Sequence, residues 1–350
     1  VFQYLLLPFA ILYQGITSLR NFLYEKQFFK TTATPAFSIN VGNLRVGGTG
    51  KTPHIEYLIR LLADRYQITT LSRGYGRKTK GFLIADSQSD VTTIGDEPMQ
   101  FFSKFKHKIR VTVGEKRVAA VEKIIEKISK TDLILLDDAF QHRAIQANLN
   151  LLLTTYDKPF YDDLLMPAGR LRESKRGAER ANAVIVSKCP IHLEEEKKKQ
   201  IKEKIYSYLP DKQTPIFFSI ITYQSFEPVF ASLSKQKYDS QQAIILLTGI
   251  ANAHLLQEKI AKEYHLLMHI ALADHHHYTK KSAEKIVKIY QKLQHKNPII
   301  LTTEKDFVKL QNPEIAVLLQ HLPLYYLPIA IEFLPSSLDF DAWILDKITN

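Results

Sequence analysis

Ser38-Ile39-Asn40-Val41-Gly42-Asn43-Leu44-Arg45-Val46-Gly47-Gly48-Thr49-Gly50-Lys51-Thr52-Pro53 is a short apolar run that enters a glycine-rich loop and ends in Gly-Lys-Thr. The pattern predicts a strand, a phosphate loop and a helix over residues 54–63. Each residue type has a chemical reason. Glycines let backbone N–H groups converge on phosphate oxygens, Lys51 adds a point charge at the β- and γ-phosphates, and the Thr52 hydroxyl can hold Mg²⁺. Arg45 stands where the strict motif has a glycine. A glycine turn that binds nothing is the bland alternative. The apolar run before the loop and the helical pattern after it favour a nucleoside triphosphate site built on Gly47, Gly48, Thr49, Gly50, Lys51 and Thr52.

The chain beyond the loop keeps the strand–helix alternation that such a site needs. Residues 67–71 read as the next parallel strand and end in Ser72-Arg73-Gly74-Tyr75-Gly76-Arg77. Loops at the carboxyl ends of such strands face the ligand crevice, so Arg73 either pairs with phosphate or sits in a solvated glycine turn. Gly95-Asp96-Glu97-Pro98 opens an apolar-rich helix over 99–105. Asp96 is there either as a cap, with Pro98 in the first turn, or as a carboxylate poised as a base or metal contact. After a helix at 116–128, Asp132-Leu133-Ile134-Leu135-Leu136-Asp137-Asp138 reads as a buried parallel strand ending in paired carboxylates. Coming about 85 residues after Gly-Lys-Thr, Asp137 and Asp138 are the acidic strand end that completes a Mg²⁺ site begun by Thr52.

Residues 148–155 and 183–187 give two more strands. Between them the segment 166–180 carries five basic residues, Arg170 and Arg172 among them, against two acidic ones. It is either an anion-binding loop or a solvated helix face. Residues 194–204 alternate in charge, as an exposed helix does. Residues 214–230 break the rhythm and read as a hairpin-like linker. A second α/β unit follows, with strands at 243–247 and 299–301 and helices at 254–264, from Thr279 to about 293, and 339–348. Asp274-His275-His276-His277-Tyr278 lies inside it and invites a metal reading. Consecutive residues cannot all face one ion, and no matching Cys/His set lies elsewhere, so one histidine as an acid/base group or charge partner fits better.

Composition bounds the rest. A chain of 350 residues has room for two domains of roughly 150 residues each. Cys189 is the single cysteine, which excludes an intrachain disulfide and suits a reducing compartment. The net charge of +11 points to an anionic partner. Aromatics are not interleaved with basic clusters, so nucleic acid is not expected. The first nineteen residues carry no charge and are interrupted by Gln3, Pro8, Gln14 and Gly15 before Arg20, Lys26 and Lys30 arrive. That is too broken for a comfortable membrane span, and no basic n-region or small-residue cleavage site marks a signal peptide. An interfacial helix fits, with apolar side chains in the bilayer and cations at the headgroups; an ordinary packed helix is the alternative.

The expected fold is α/β: a P-loop NTPase-type, mostly parallel sheet with helices on both faces, plus a smaller second α/β domain. The expected divisions are a membrane-associating helix at 1–30, a P-loop kinase domain at 31–213, a β linker at 214–235 and a C-terminal α/β domain at 236–350.

With these pieces placed, the chain resembles the tetraacyldisaccharide 4′-kinases, the lipid A kinases of Gram-negative bacteria, over nearly its full length. The resemblance is carried by Val41-Gly42-Asn43, Gly47 to Pro53, Ser72 to Gly76, Gly95 to Pro98, Val113-Gly114 with Arg117, Asp137-Asp138 with Phe140-Gln141-His142-Arg143, Pro167 to Glu173, Asp274-His275-His276 and Thr303 to Asp306. It implies ATP- and Mg²⁺-dependent phosphoryl transfer to the 4′-hydroxyl of a tetraacylated glucosamine disaccharide 1-phosphate at the cytoplasmic face of the inner membrane. Asp96 is the matched base, His275 the imidazole that adjusts or relays its proton, and Lys51 the third catalytic group. Gln141 joins the phosphate loop at the nucleotide. Arg73, Glu97, Arg117, Arg170 and Arg172 bind substrate, and Thr52, Asp137 and Asp138 hold the metal. A monomer with no nucleic-acid partner is expected. Arg45 and Arg170 depart from the family's pattern. Two other readings compete: a membrane-associated nucleotide switch, which would not need the second α/β unit, and a metallochaperone GTPase using the histidine run, which the lack of cysteine partners weakens.

Overall fold

Strand Phe37–Asn43, which feeds the phosphate loop, lies in the middle of a nine-stranded sheet in the computed structural model, which describes residues 5–235, 237–251, 253–274 and 276–349. From one edge the order is Ile329–Phe333, Ile216–Tyr223, Ala183–Ser187, Leu149–Thr155, Phe37–Asn43, Leu133–Asp137, Ile68–Ser72, Ile109–Val113 and Leu83–Ile84. The two edge strands run antiparallel to their neighbours and all the strands between are parallel. The chain first builds outward on one side of the phosphate-loop strand and then on the other. The carboxyl ends of Phe37–Asn43 and its neighbours therefore open on the crevice where such sheets bind ligands.

Alternate residues of each central strand go to opposite faces, which is why these runs are apolar throughout. Leu133 and Leu135 pack with Ile55, Leu58, Ile59 and Leu62 of helix Lys51–Leu62, while Ile134 and Leu136 pack with Ala120, Val121 and Ile124 of helix Arg117–Lys127. Val184 and Val186 meet Ile201 and Ile205 of helix Glu195–Tyr206 on the second face. A smaller sheet follows, in the order Glu227–Pro228, Leu324–Leu327, Ile299–Thr303, Ala243–Thr248, His265–Ala271, parallel apart from its first pair. The expected α/β class and the second α/β layer are both present.

Three features differ from the sequence reading. Residues 216–223, expected in a hairpin-like linker, form a strand of the larger sheet, parallel to Ala183–Ser187. Helix Glu195–Tyr206 before it preserves the strand–helix rhythm, and the apolar start of the strand is buried. Residues from 329 onward, expected with the C-terminal unit, return to the larger sheet. Ile329–Phe333 pairs with Ile216–Tyr223, and Phe340 and Trp343 of helix Phe340–Thr349 pack on Phe217 in the first core. Strand His265–Ala271 had no counterpart in the reading; it is a half-buried edge without period-2 alternation.

Helix Leu7–Glu25 lies against the loops that carry Gln141, Arg143, Arg172 and Glu173. Its inner side carries buried Ala10, and Tyr13 Oη donates to Arg172 O at 2.7 Å. Leu5, Phe9, Ile11, Leu12, Ile16, Leu19 and Phe22 point outward and are exposed. Among the described residues no helix is long and apolar enough to cross a membrane.

Candidate active site

The phosphate loop is braced from behind so that its open side stays free. Gly47 and Gly50 have φ of 113° and 86°, the left-handed region that glycine enters without strain. Asn43 Nδ2 donates to Thr49 Oγ1 at 2.7 Å, and Ser187 Oγ donates to Thr49 O at 2.8 Å. Thr49 is thus buried, and its hydroxyl serves the loop's own shape. Buried His54 bonds Gly50 O at 2.7 Å and Ser219 Oγ at 3.0 Å, and burial pulls its pKa down to about 4. No side chain caps helix Lys51–Leu62, which leaves its first N–H groups for an anion. Arg45, at the motif's departure, bridges to Leu171 in antiparallel fashion and pairs with Asp163 at 2.5 Å, so it points away from the phosphate path.

Acidic groups gather opposite Lys51. Asp137 ends its strand 2% exposed; Oδ2 accepts from Ser72 Oγ at 3.1 Å and Oδ1 has no partner among the described residues. Its pKa is pushed up to about 7, first by burial and then by repulsion from Glu97 and Asp138. Asp138, at φ 52°, sits between cations, 3.5 Å from Lys51 Nζ and 2.9 Å from Arg172 Nη1. A buried carboxylate oxygen with no donor, beside a second carboxylate and near the Gly-Lys-Thr helix start, is suited to a hard divalent cation. Among the described residues no three His, Cys, Asp or Glu side chains form a ready cage.

Asp96 enters from the neighbouring loop. Helix Asp96–Phe105 is capped by Gly95 at φ 93°, so Asp96 occupies the first helical turn and is not the N-cap residue. A Cβ at Gly95 would fall 2.8 Å from Tyr75 O, and one at Gly74 would fall 2.8 Å from Ile94 O. The two glycine motifs are therefore a single close contact between backbones, which holds the Arg73 loop against the start of the Asp96 helix. Arg73 is exposed beyond its strand end. On the far side Asp96 Oδ2 lies 3.3 Å from Lys309 Nζ, on helix Glu304–Leu310 of the smaller unit. His275 lies outside the described residues.

The other expected ligand residues fall into two groups. Arg170 Nη1 comes within 3.9 Å of where a Gly47 Cβ would be, so its cation stands over the phosphate loop. Arg172, Gln141 and Arg117 are engaged within the protein. Arg172 bonds both Asp138 oxygens, while Gln141 donates to Asn43 O at 2.8 Å and Glu173 at 3.0 Å and accepts from Arg172 at 3.1 Å. Arg117, expected to bind substrate, is instead 1% exposed, with its guanidinium on the main-chain carbonyls of Gly114 and Asp137. It props the acidic strand end from behind, because its helix packs on the face of the sheet away from the phosphate loop.

Sequence reasoning assigned no role to four residues that the fold brings here: Ser72 on Asp137, Glu173 beneath Gln141, Lys188 with Nζ 4.0 Å from the Cβ position of Gly48, and Lys309. Ser72 and Glu173 lay in quoted motifs, and Lys309 stands one helical turn after Asp306. Lys188 carried no local signal.

A phosphate loop on a parallel sheet, with an acidic strand end across from its lysine, defines a P-loop nucleotide-binding enzyme. The sequence matches the tetraacyldisaccharide-1-P 4′-kinase family over residues 2–349. The chain belongs to that family. Its relatives include the tetraacyldisaccharide 4′-kinase of Flavobacterium psychrophilum, 42% identical over 99% of this chain and 96% of its own. That of Bacteroides fragilis is 40% identical over 95% of this chain and 90% of its own. Among solved structures, LpxK from Aquifex aeolicus in complex with ATP superposes with a TM-score of 0.75 at 26% identity, covering 100% of this chain and 99% of that one.

Proposed function

We propose that the protein transfers the γ-phosphoryl group of ATP to the 4′-hydroxyl of a tetraacylated glucosamine disaccharide 1-phosphate at the cytoplasmic face of the bacterial inner membrane. The observation that carries this is the shared crevice. Lys51 of the phosphate loop meets Asp138 of the acidic strand end at 3.5 Å, Glu97 beside Asp96 acts on Asp137, and a helix with an outward apolar face is hydrogen-bonded to the loops at 172–173 through Tyr13 and through Asn21, whose Nδ2 donates to Glu173 at 3.0 Å.

Phosphoryl transfer through a loose transition state needs positioning and charge neutralisation more than covalent chemistry. Lys51 and the free N–H groups of its helix take the β- and γ-phosphates, with Arg170 above the loop. Thr52 and Asp137, with Asp138, would hold Mg²⁺, which when bound neutralises phosphate charge. Asp96 accepts the proton of the attacking hydroxyl, and His275 relays it. Arg73 and Glu97 flank the acceptor. Beside the rim, Leu7, Ala10, Ile11, Leu164 and Leu171 line a cleft of about 350 Å³ bordered by Lys175 and Arg176, a lining suited to an acyl chain with an anionic head. A lipid substrate leaves the bilayer at about 0.8 kcal/mol per CH₂, so an enzyme resting on the surface suits it.

The test is an assay of purified protein with labelled ATP and the lipid disaccharide phosphate, comparing lipid product with ATP hydrolysis. Stoichiometric labelling of the lipid is expected, with Asp96→Asn lowering kcat by about 10²–10⁴-fold. Hydrolysis with no labelled lipid would leave a nucleotide switch instead.

A further inference from the structure

The Lys309 side chain is 4% exposed, and its ammonium has no hydrogen-bond partner among the described residues. Two carboxylates face it, Asp96 Oδ2 at 3.3 Å and Asp306 Oδ1 at 3.8 Å. Asp306 is fixed in turn, its Oδ2 accepting from Gly249 N at 2.9 Å and Thr303 Oγ1 at 2.7 Å. A buried cation without hydrogen bonds costs more than an apolar residue of similar volume would. Stability alone therefore does not account for a lysine at this position, whereas the charge of Asp96 does. Glu97, the residue after it, stands close enough to repel Asp137, which Asp138 also repels, and a bound triphosphate adds further negative charge. Lys309 is the cation that the smaller unit presents to it.

The helices reinforce the placement. Lys104, near the end of helix Asp96–Phe105, pairs with Glu304, at the start of helix Glu304–Leu310, at 2.5 Å and with Glu56 of the phosphate-loop helix at the same distance. Asp96 and Lys309 are joined at the opposite ends of the same two helices. The pair is thus clamped antiparallel at both termini, and the outer clamp fixes how far Lys309 reaches.

We propose that Lys309 is a positioning residue for the phosphoryl-transfer reaction, holding the Asp96 carboxylate toward the acceptor hydroxyl against the repulsion of neighbouring carboxylates and the bound triphosphate. This rests on Asp96 being the base. The experiment is a double-mutant cycle on the full chain, with kcat and the KM for ATP measured for wild type, Lys309→Met, Asp96→Asn and the double variant, and with Lys309→Arg alongside. Lys309→Met lowers kcat by about 10²-fold, the loss expected of a group displaced by about 1 Å, with the KM for ATP unchanged. In the Asp96→Asn background the same substitution costs less than about threefold, since the charge it serves is gone. Lys309→Arg stays within about tenfold of wild type, because the cation is kept. Equal losses in both backgrounds, or a Lys309→Met enzyme with wild-type kcat, overturn the inference. A near-normal Asp96→Asn enzyme overturns the base assignment beneath it, which is a separate result. If Lys309→Met melts early because Asp306 is left unpaired, Lys309→Met with Asp306→Asn removes both buried charges and is read by the same criteria.

Discussion

His54 shows how one buried side chain ties the phosphate loop to the rest of the sheet. It bridges Gly50 O and Ser219 Oγ, and burial keeps it neutral with a pKa near 4 against an ordinary 6.5. A histidine with a lowered folded pKa contributes stability that is present above its unfolded pKa and lost as pH falls through the folded one. Between about pH 6.5 and 4, the wild type should lose urea resistance faster than His54→Gln, and nucleotide affinity should fall with it. Parallel urea midpoints for the two proteins across that range would show that His54 does not carry the effect. Under the proposed nucleotide site, Lys51→Ala and Thr52→Ala remove ligand contacts and leave the core untouched. Each should lower turnover by at least about 10²-fold, with thermal melts near wild type. A folded Lys51→Ala protein with full activity would sink the nucleotide-site assignment.

The element with the clearest division of labour is helix Leu7–Glu25. Tyr13, Arg20 and Asn21 bond to the loops that carry Arg172, Gln141 and Glu173, while Leu12, Ile16 and Leu19, at i, i+4 and i+7, are exposed by 65%, 61% and 60%. One face therefore packs on the loops of the site and the other is exposed and apolar. Replacing Leu12, Ile16 and Leu19 together by Gln should abolish sedimentation with anionic liposomes and raise the KM for the lipid. Affinity for a soluble nucleotide analogue should stay within about twofold, because no site contact is touched. Unchanged liposome binding would make the outward face incidental.

On the scale of the whole molecule, the C-terminal stretch closes the larger sheet. Phe340 stacks on Phe333 with centroids 3.9 Å apart and meets Phe217 edge-on at 5.0 Å, and both Phe340 and Trp343 belong to the core beneath helix Lys51–Leu62. Phe340→Ala should cost about 3–5 kcal/mol in urea unfolding, the range for emptying a buried aromatic site. A chain ended at Pro328 should lose nucleotide binding along with its fold, because the edge strand and the aromatic cluster go together. A truncated protein that still binds ATP would mean that the phosphate-loop half folds alone.

The sequence by itself determined the parallel sheet, the phosphate loop and the acidic strand end, because each rests on short-range patterns: apolar runs of strand length, glycines at fixed offsets from a lysine, a carboxylate at a strand terminus. It also determined that the N-terminal segment is amphiphilic and uncharged. Tertiary structure alone decided which charged residues stand at the phosphate loop and which hold the scaffold. Arg117 and Arg170 look alike in sequence, yet one is sealed behind Asp137 and the other stands over Gly47. The strand Ile216–Tyr223 and its partner Ile329–Phe333 lie about a hundred residues apart, and their pairing is fixed by burial of both against a common core, a property that no window of sequence contains. The same holds for Asp96 and Lys309, on helices of different units: their meeting depends on how two sheets pack, and packing is settled by the sum of many non-local contacts.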